Sequence, residues 1–388
     1  MKQKFIQYGV GIDVSKKDLA VCFLAKTEEE ALKIRSSRKF ANTPAGILEL
    51  MKWVEKYRKE KCLRLRIYLE VTGVYHEQVL FHLHEAGYEV SLLMGKRVKA
   101  YGKSLGEESK NDQKDSYVLG HMALSRQERL WQPASKHIVQ IRSLTRHRRS
   151  LVQSRVAYQN QLHAVTYSAR PSAVVKESLE QLISQMNLQI AQIEQEALSL
   201  AQVDEDLYKK ICLITKSLKG LGIITMLEVI SETNGFSEFK SINQLIKYAG
   251  YDIIENQSGN RAGKTRISKH GNARLRAAMY MPVLSILSRK VEPFYALYLR
   301  VLKRNPGIKK KAMVALQRKL LIIIYTLWKK NEAFDPEYQW GKDSKTENNS
   351  TKKSSSDSKP ELHGIAQPEL ASNTKIEKIE KISNFSCK

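Results

Sequence analysis

Four carboxylates in the first third of the chain have types and positions suited to metal-dependent phosphate chemistry. Asp13 ends the apolar run YGVGID, and Glu70 ends the run LRIYLE. Asp112 and Asp115 lie three residues apart in a predicted helix, so they share one face. Each acid taken singly is more typical of a cap or a salt-bridge partner. Together they predict a cluster of oxygen ligands for Mg²⁺ or Mn²⁺, which would polarise a phosphodiester.

The chain also carries a large excess of positive charge. Its 388 residues include 65 Lys and Arg against 40 Asp and Glu, a net charge of +25, which indicates a polyanionic partner. Residues 136–170, 257–276 and 294–331 contain many basic residues and no acidic one. These stretches predict phosphate contacts, although a single charge run is also typical of a solvated face. The predicted nucleic-acid-binding residues are Arg142, Arg146, Arg148, Arg149, Arg155, Arg261, Lys264, Arg266, Lys269 and Arg274.

Composition excludes several classes of protein. A hydrophobic content of 42% is too high for a wholly disordered chain. The four cysteines form no C-x-x-C pair, which argues against a zinc ribbon and a disulfide scaffold and predicts a reducing compartment. The apolar run LLIIIYTLW is too short to cross a bilayer, which takes about 20 residues. We therefore expect a cytoplasmic protein with no membrane partner.

The elements that must position these residues fall into an α/β part followed by an all-α part. Residues 1–130 predict a mixed sheet with helices, in which YGVGIDVS, LAVCFLA and KIRSSRKFA form an antiparallel meander. LRIYLEVTG and YEVSLLM are further predicted strands. Helices are predicted at TPAGILELMKWVEKYR, with Thr43 as N-cap and Pro44 at the first turn, and at VYHEQVLFHLHEAG and NDQKDSYVLGHMALSR.

Residues 131–205 predict a basic helical region that ends in a coiled-coil hairpin. SLEQLISQMNLQIAQIEQEALSL contains a heptad pattern, and Pro171 marks the turn between two long helices. The pattern suits a hairpin packed on its own chain and a dimer contact equally well.

Residues 206–340 predict a C-terminal helical domain. The Gly-x-Gly of KGLGIITM is typical of a helix-hairpin-helix turn and also of a plain tight turn. The helix SINQLIKYAG, the loop QSGNRAGKTR and two further helices up to about residue 330 complete this domain. Residues 341–388 are rich in Ser, Asn, Thr and Lys, and they predict a disordered tail.

Several blocks of the sequence resemble one family. GIDVSKKDL, YLEVTGVYH and KNDQKDSYVLG are similar to the Asp, Glu, Asp and Asp blocks of the DEDD transposases of bacterial insertion sequences, of the IS110 type. LTRHRRSLVQSRVAYQNQLHAV resembles the basic helix of that family, and KYAGYDIIENQSGNRAGKTRISKHGNARLR resembles its C-terminal block. The resemblance covers residues 8–330.

The resemblance implies a fold, a mechanism and partners. The N-terminal domain is expected to have the ribonuclease-H-like fold of the RuvC resolvase, with Asp13, Glu70, Asp112 and Asp115 as the metal site. Ser258 is expected to be the nucleophile that forms a phosphoserine link with DNA, in a site composed of domains from different subunits of a dimer or tetramer. Donor and target DNA and an element-encoded guide RNA are the implied partners, and nucleoid association follows when the protein is bound to DNA.

Two other functions stay open on the sequence. A metal-dependent junction nuclease that only hydrolyses DNA explains the four acids, but it leaves Ser258 and its basic surroundings without a role. A nucleic-acid-binding structural protein with a degenerate site explains the charge alone. A serine hydroxyl needs activation, and either His270 or a metal held by the acids is a candidate for that role.

Overall fold

The N-terminal sheet is built around a strand that is buried on both faces. The computed structural model describes residues 4–107, 111–255, 257–258, 261–263 and 266–337. Within these residues, five strands form one sheet in the order β3-β2-β1-β4-β5. The strands are β1 (Phe5–Val14), β2 (Asp18–Thr27), β3 (Leu32–Ala41), β4 (Arg64–Glu70) and β5 (Glu89–Leu93).

Strand pairing confirms the predicted mixed sheet. β1, β2 and β3 pair antiparallel as a meander, whereas β4 pairs parallel with both β1 and β5. Parallel neighbours need crossover connections, and helices supply them here. α1 (Pro44–Tyr57) lies in the connection to β4 and α2 (Glu77–Glu85) in the connection from β4 to β5, whereas α3 (Gly95–Ser104) and α4 (Asp112–Ser125) follow the last strand. Thr43 caps α1 as predicted, because its hydroxyl oxygen accepts a hydrogen bond from Gly46 N at 3.2 Å.

The helices cover both faces of the sheet. One face packs against α1 and α2 through a core that includes Trp53, Phe23 and Leu80. The other face packs against α4 through Tyr68, Leu119 and Met122. A strand buried on both faces reads as a nearly continuous apolar run, which is what β1 and β2 show.

Glycines allow α4 to approach β1 much more closely than ordinary side chains would. Gly9, Gly11 and Asp13 alternate along one face of β1. A Cβ atom at Gly11 would overlap the carbonyl oxygen of Ser116 and the amide nitrogen of Gly120. A Cβ atom at Gly120 would in turn overlap Leu24 of β2. The backbones of strand and helix therefore touch directly beside Asp13.

The rest of the chain up to Lys330 is almost wholly helical, as predicted. Two long helices, α5 (Lys136–Thr166) and α6 (Ala173–Gln202), pack along each other, and α5 also packs on α8. The helices that follow are α7 (Glu205–Ser217), α8 (Ile223–Thr233), α9 (Ile242–Ala249), α10 (Ala273–Ala278), α11 (Tyr280–Ser288), α12 (Phe294–Arg304) and α13 (Lys309–Lys330). The predicted a and d positions of the heptad face inward to different degrees: Leu179, Ile190 and Ala197 are buried, and Ile183, Met186, Ile193 and Leu200 are half-buried.

Two sequence predictions in this region were wrong. The predicted loop QSGNRAGKTR lies within short antiparallel pairs, β6 (Ile253–Ile254) with β9 (Arg266–Ile267) and β7 (Gln257–Ser258) with β8 (Arg261–Ala262). Strands of two residues are too short to give a periodic signal. Past α9, the described residues contain four helices instead of two, because Pro293 and Pro306 interrupt the apolar pattern.

The described residues up to Phe334 form one compact unit. The predicted disordered tail, residues 341–388, lies outside the described residues. No described helix combines the length and apolarity that a bilayer crossing requires.

We predict that Gly11→Ala lowers the free energy of unfolding by about 3 kcal/mol, because the new methyl group meets backbone atoms that no rotamer change can move. Urea denaturation measures the effect. Gly102→Ala in α3 is the matched control, since its methyl group would meet only Val118, at 3.5 Å. It should be neutral or stabilising, because alanine favours a helix over glycine. Equal stabilities of the two variants would contradict the packing argument.

Candidate active site

The four predicted carboxylates line one cavity of about 440 Å³. Asp13 and Glu70 reach it from neighbouring parallel strands, because Ile12 pairs with Leu69 and both strands end at the same edge of the sheet. Asp112 and Asp115 reach it from the first turn of α4. Three separate elements thus bring the four acids together.

The N-terminus of α4 is set by the residue just before the two aspartates. Asn111 caps the helix, since its side-chain oxygen accepts a hydrogen bond from Gln113 N at 3.1 Å. Asp112 and Asp115 then fall in the first turn, where the helix dipole favours negative charge. The short segment NDQKD therefore both starts the helix and places two carboxylates at its beginning.

Lys39 of β3 borders the acids, a position that the sequence did not reveal. Its Nζ lies 2.9 Å from Oδ2 of Asp112. The hydrogen bond to Asp112 and the charge of that residue raise the pKa of Lys39, and the charges of Asp18 and Asp13 add to the effect. The negative field of the cavity therefore extends to the edge of the sheet.

Glu70 is positioned by a glycine on the next helix. A Cβ atom at Gly95, the first residue of α3, would overlap Oε1 and the carboxyl carbon of Glu70. The carboxylate occupies the space where any other residue would place its side chain. Gly95 was not among the predicted site residues, because a lone glycine at a helix start gives no distinctive signal.

The donor set suits a divalent cation, although the carboxylates do not close on one point. Hard cations such as Mg²⁺ prefer carboxylate oxygens. Within the described residues, no three His, Cys, Asp or Glu side chains lie close enough to hold one ion. Lys99, Lys103 and Lys114 line the same cavity and place positive charge beside the acids.

The segment that contains Ser258 leaves the helical region and returns to it at nearly the same place. The backbone of Ser258 pairs with Arg261 in the β7–β8 ladder. At the base, Lys269 N donates to Gly250 O at 3.1 Å and Asn272 N donates to Tyr248 O at 2.7 Å. A Cβ atom at Gly271 would overlap Tyr248 O and Gly250 N. We call residues 251–271 the serine segment.

A buried carboxylate, Glu232 of α8, ties this base to α5. Its side chain is 1% exposed, and it accepts from Arg146 Nε at 2.6 Å and from Asn272 Nδ2 at 2.7 Å. Asn272 also caps α10 by accepting from Arg274 N at 3.0 Å. Burial alone would raise the pKa of Glu232, but the hydrogen bonds from Arg146 and Asn272 and the charges of Arg146 and Arg142 lower it.

The five predicted arginines of α5 all have partners within the chain. Arg142 donates to Ser231 O, and Arg146 pairs with Glu232. Three of the five pair with carboxylates that other helices supply, since residues 136–170 contain no acidic residue. The remaining contacts are Arg148 with Glu194 at 2.5 Å, Arg149 with Glu228 at 2.7 Å and Arg155 with Asn187 at 2.9 Å. Direct DNA contact by these arginines stays a prediction, and their observed role is to hold α5 against α6 and α8.

The predicted basic residues in the serine segment and at the start of α10 have a different setting. Arg266, Lys269 and Arg274 are exposed to solvent. Arg261 contributes its backbone to β8, and Lys264 lies outside the described residues. Exposed basic side chains on this segment suit phosphate contact better than the paired arginines of α5 do.

Comparison with known proteins decides the family. A model of the DEDD transposases of IS110 matches residues 10–171, and a model of the IS116/IS110/IS902 transposase family matches residues 212–299. The chain belongs to the IS110 family of DEDD transposases. It is thus an enzyme of the transposase and recombinase class, which acts on DNA strand cleavage and transfer. The family is also associated with the use of divalent metals.

Curated relatives agree with this assignment. The chain is 26% identical over 331 residues to the pilin gene-inverting protein of Moraxella bovis, covering 84% of this chain and 97% of that protein. It is 24% identical over 277 residues to the transposase of insertion sequence element IS1111A of Coxiella burnetii, covering 64% and 73% of the two chains.

We predict that Gly95→Ala in this transposase reduces DNA strand cleavage about tenfold while the fold is retained, because the new methyl group would displace the carboxylate of Glu70 from the cavity that it shares with the other candidate acids. Cleavage of a labelled donor DNA and a denaturation curve measure the two quantities. Lys52→Ala, at an exposed position of α1 away from the cavity, is the control and should cleave normally. Wild-type cleavage by Gly95→Ala would show that Glu70 does not need its present position.

We predict that Arg146→Ala lowers the free energy of unfolding by about 2 kcal/mol at neutral pH, less than a fully buried pair would lose because Arg146 is 42% exposed. The pKa of Glu232 is lowered in the folded state, so its contribution is present above its usual pKa of 4.5 and is lost as the pH falls through the lowered value. The difference from wild type should therefore shrink on acidification. Lys136→Ala, at the exposed start of α5, is the control, and a pH-independent difference would contradict the assignment.

Proposed function

We propose that the protein moves an insertion sequence by cutting and rejoining DNA through a phosphoserine link at Ser258, with Asp13, Glu70, Asp112 and Asp115 as a divalent-metal site. The observation that carries the proposal is that these four acids, predicted from separate sequence blocks, line one cavity. The order of strands and helices around them is consistent with the proposed RuvC-like fold of residues 1–130.

The acids would hold Mg²⁺ or Mn²⁺, which supplies polarisation of the phosphodiester and stabilises negative charge on the leaving oxygen. The protein contributes rigidity, because the contact between Gly11 and α4 fixes Asp13 relative to the helix that carries Asp112 and Asp115. Lys39 and the cavity lysines offset carboxylate repulsion before substrate binds.

The serine step conserves the energy of the ester. The Oγ atom of Ser258 forms a bond to phosphorus, the bond from phosphorus to one strand oxygen breaks, and that strand leaves as a hydroxyl after taking up a proton. The proton of Ser258 passes to a base, for which we propose the acidic site. Attack by a second strand hydroxyl on the phosphoserine reverses the step and releases Ser258, so rejoining needs no nucleotide cofactor.

The partners in this proposal are donor and target DNA, a guide RNA and further copies of the chain. The net charge of +25 and the exposed Arg266, Lys269 and Arg274 support nucleic-acid binding. The guide RNA and a dimer or tetramer with a composite site rest on the family resemblance.

We predict that the wild-type protein and a nicked suicide substrate form an adduct that survives denaturation and maps to the peptide containing Ser258. Ser258→Ala should lose the adduct and strand transfer but keep DNA binding, because one hydroxyl contributes little to a large basic interface. Asp13→Ala should also lose the adduct. Ser199→Ala, at an exposed position of α6, is the control and should behave as wild type.

Either of two results would contradict the phosphoserine mechanism. Strand transfer by Ser258→Ala at the wild-type rate would remove Ser258 from the chemistry. Magnesium-dependent cleavage without any adduct would instead indicate a nuclease in which the four carboxylates act on water.

A further inference from the structure

Two nitrogen-bearing side chains that lie 174 residues apart in the sequence face each other near Glu70. Nζ of Lys96 lies 3.4 Å from Nε2 and 3.5 Å from Nδ1 of His270. Lys96 belongs to α3 of the N-terminal part, and His270 belongs to the serine segment. The contact therefore joins the two regions that carry the candidate chemistry.

The backbone on each side of this contact is held in place. Lys96 follows Gly95, which packs against the carboxylate of Glu70. His270 N donates a hydrogen bond to Oγ of Ser268 at 3.2 Å, and the Ser268 hydroxyl in turn donates a hydrogen bond to the carboxylate of Asp252. The backbone N–H of neighbouring Lys269 donates a hydrogen bond to Gly250 O in the same turn. The two side chains are thus presented from fixed backbone, and only their own rotamers have to adjust to a ligand.

The electrostatics of the pair indicate an anion. Within the part of the chain that the structure describes, neither side chain contacts a carboxylate. Neighbouring Arg97, by contrast, pairs with Glu128 at 2.7 Å. An ammonium group can only donate, so a ring nitrogen of His270 accepts from Lys96 in the free protein. A phosphate group can accept a hydrogen bond from Lys96 and from a ring N–H of His270 at the same time.

We propose that Lys96 and His270 form a phosphate clamp that grips one phosphodiester group of the DNA strand that is cut. Both side chains are exposed, so a strand can reach them. A strand that contacts both the acidic cavity and the serine segment can meet both side chains, because Lys96 adjoins the residue that packs against Glu70 and His270 belongs to the serine segment. This inference rests on the proposed function for the identity of the strand, and it assigns residues that the proposed chemistry does not use.

The test is a double-mutant cycle on DNA binding with Lys96→Ala, His270→Ala and the double variant, each in the full-length protein. We expect the double variant to bind donor DNA about tenfold more weakly, as for the loss of a charge-assisted contact. The slope of binding against salt concentration should fall by about 0.9, the value for one duplex phosphate. The two single variants should show non-additive losses, because they share one phosphate.

Two controls make the result specific. Lys52→Ala on α1, an exposed residue on the opposite face of the sheet, removes one positive charge elsewhere and should leave affinity nearly unchanged. Methylphosphonate substitution, one position at a time, should weaken wild-type binding at a position near the cut, and the double variant should be insensitive to it. Lys96→Arg should restore part of the affinity.

Distinct outcomes separate this proposal from the phosphoserine mechanism. Unchanged affinity and salt slope in the double variant would overturn the clamp, even if the wild type forms its adduct at Ser258. Weaker binding of RNA with DNA binding intact would also overturn it. If the double variant binds DNA more weakly and does not respond to methylphosphonate substitution, the clamp is supported even when no adduct forms, since binding is measured before chemistry.

Discussion

The close approach of α4 to β1 is the constraint on which the candidate site depends. Gly9 and Gly11 remove the side chains that would separate helix from strand, and Gly120 removes the one on the opposing helix. Asp13 is the next residue on the same face of β1, so the two aspartates of α4 are delivered to it by backbone packing. Protein interiors resist even one added methylene, and direct backbone contact leaves still less freedom. The geometry of the acids is therefore set by the core.

A second constraint acts in the C-terminal part, where the buried carboxylate of Glu232 holds α5 and the start of α10 together. Glu232 has no access to solvent, and it is stabilised by hydrogen bonds from α5 and from the residue that begins α10. Glu228, one turn earlier, shows the opposite balance, since burial raises its pKa despite its contact with Arg149. The basic residues that the sequence predicts to bind nucleic acid thus fall into two groups. Those on α5 pair with other residues of the chain, whereas those in and just after the serine segment are exposed to solvent.

Most of the α/β part was predictable from the sequence, because strands with apolar runs and helices with capping residues such as Thr43 carry local signals. The four acids were predictable as a set from their positions at element ends. Lys39, Gly95 and Glu232 were not, since their roles depend on contacts with residues far along the chain. The partners of the α5 arginines were missed for the same reason, as their carboxylates lie on α6 and α8. The short ladders around Ser258 were too brief for any periodicity to reveal.

The tied base of the serine segment has a consequence for how the family can diversify. Two backbone hydrogen bonds join the ends of the segment where it meets the helices, one from Asn272 N to Tyr248 O and one from Lys269 N to Gly250 O. Once the ends are joined, lengthening the chain between them adds little entropic cost, about 0.6 kcal/mol for each doubling of a flexible loop. Insertions, deletions and new side chains can therefore accumulate there without disturbing α9 or α10. A family member with a different length here would keep the helical frame and change the position of Ser258 relative to it.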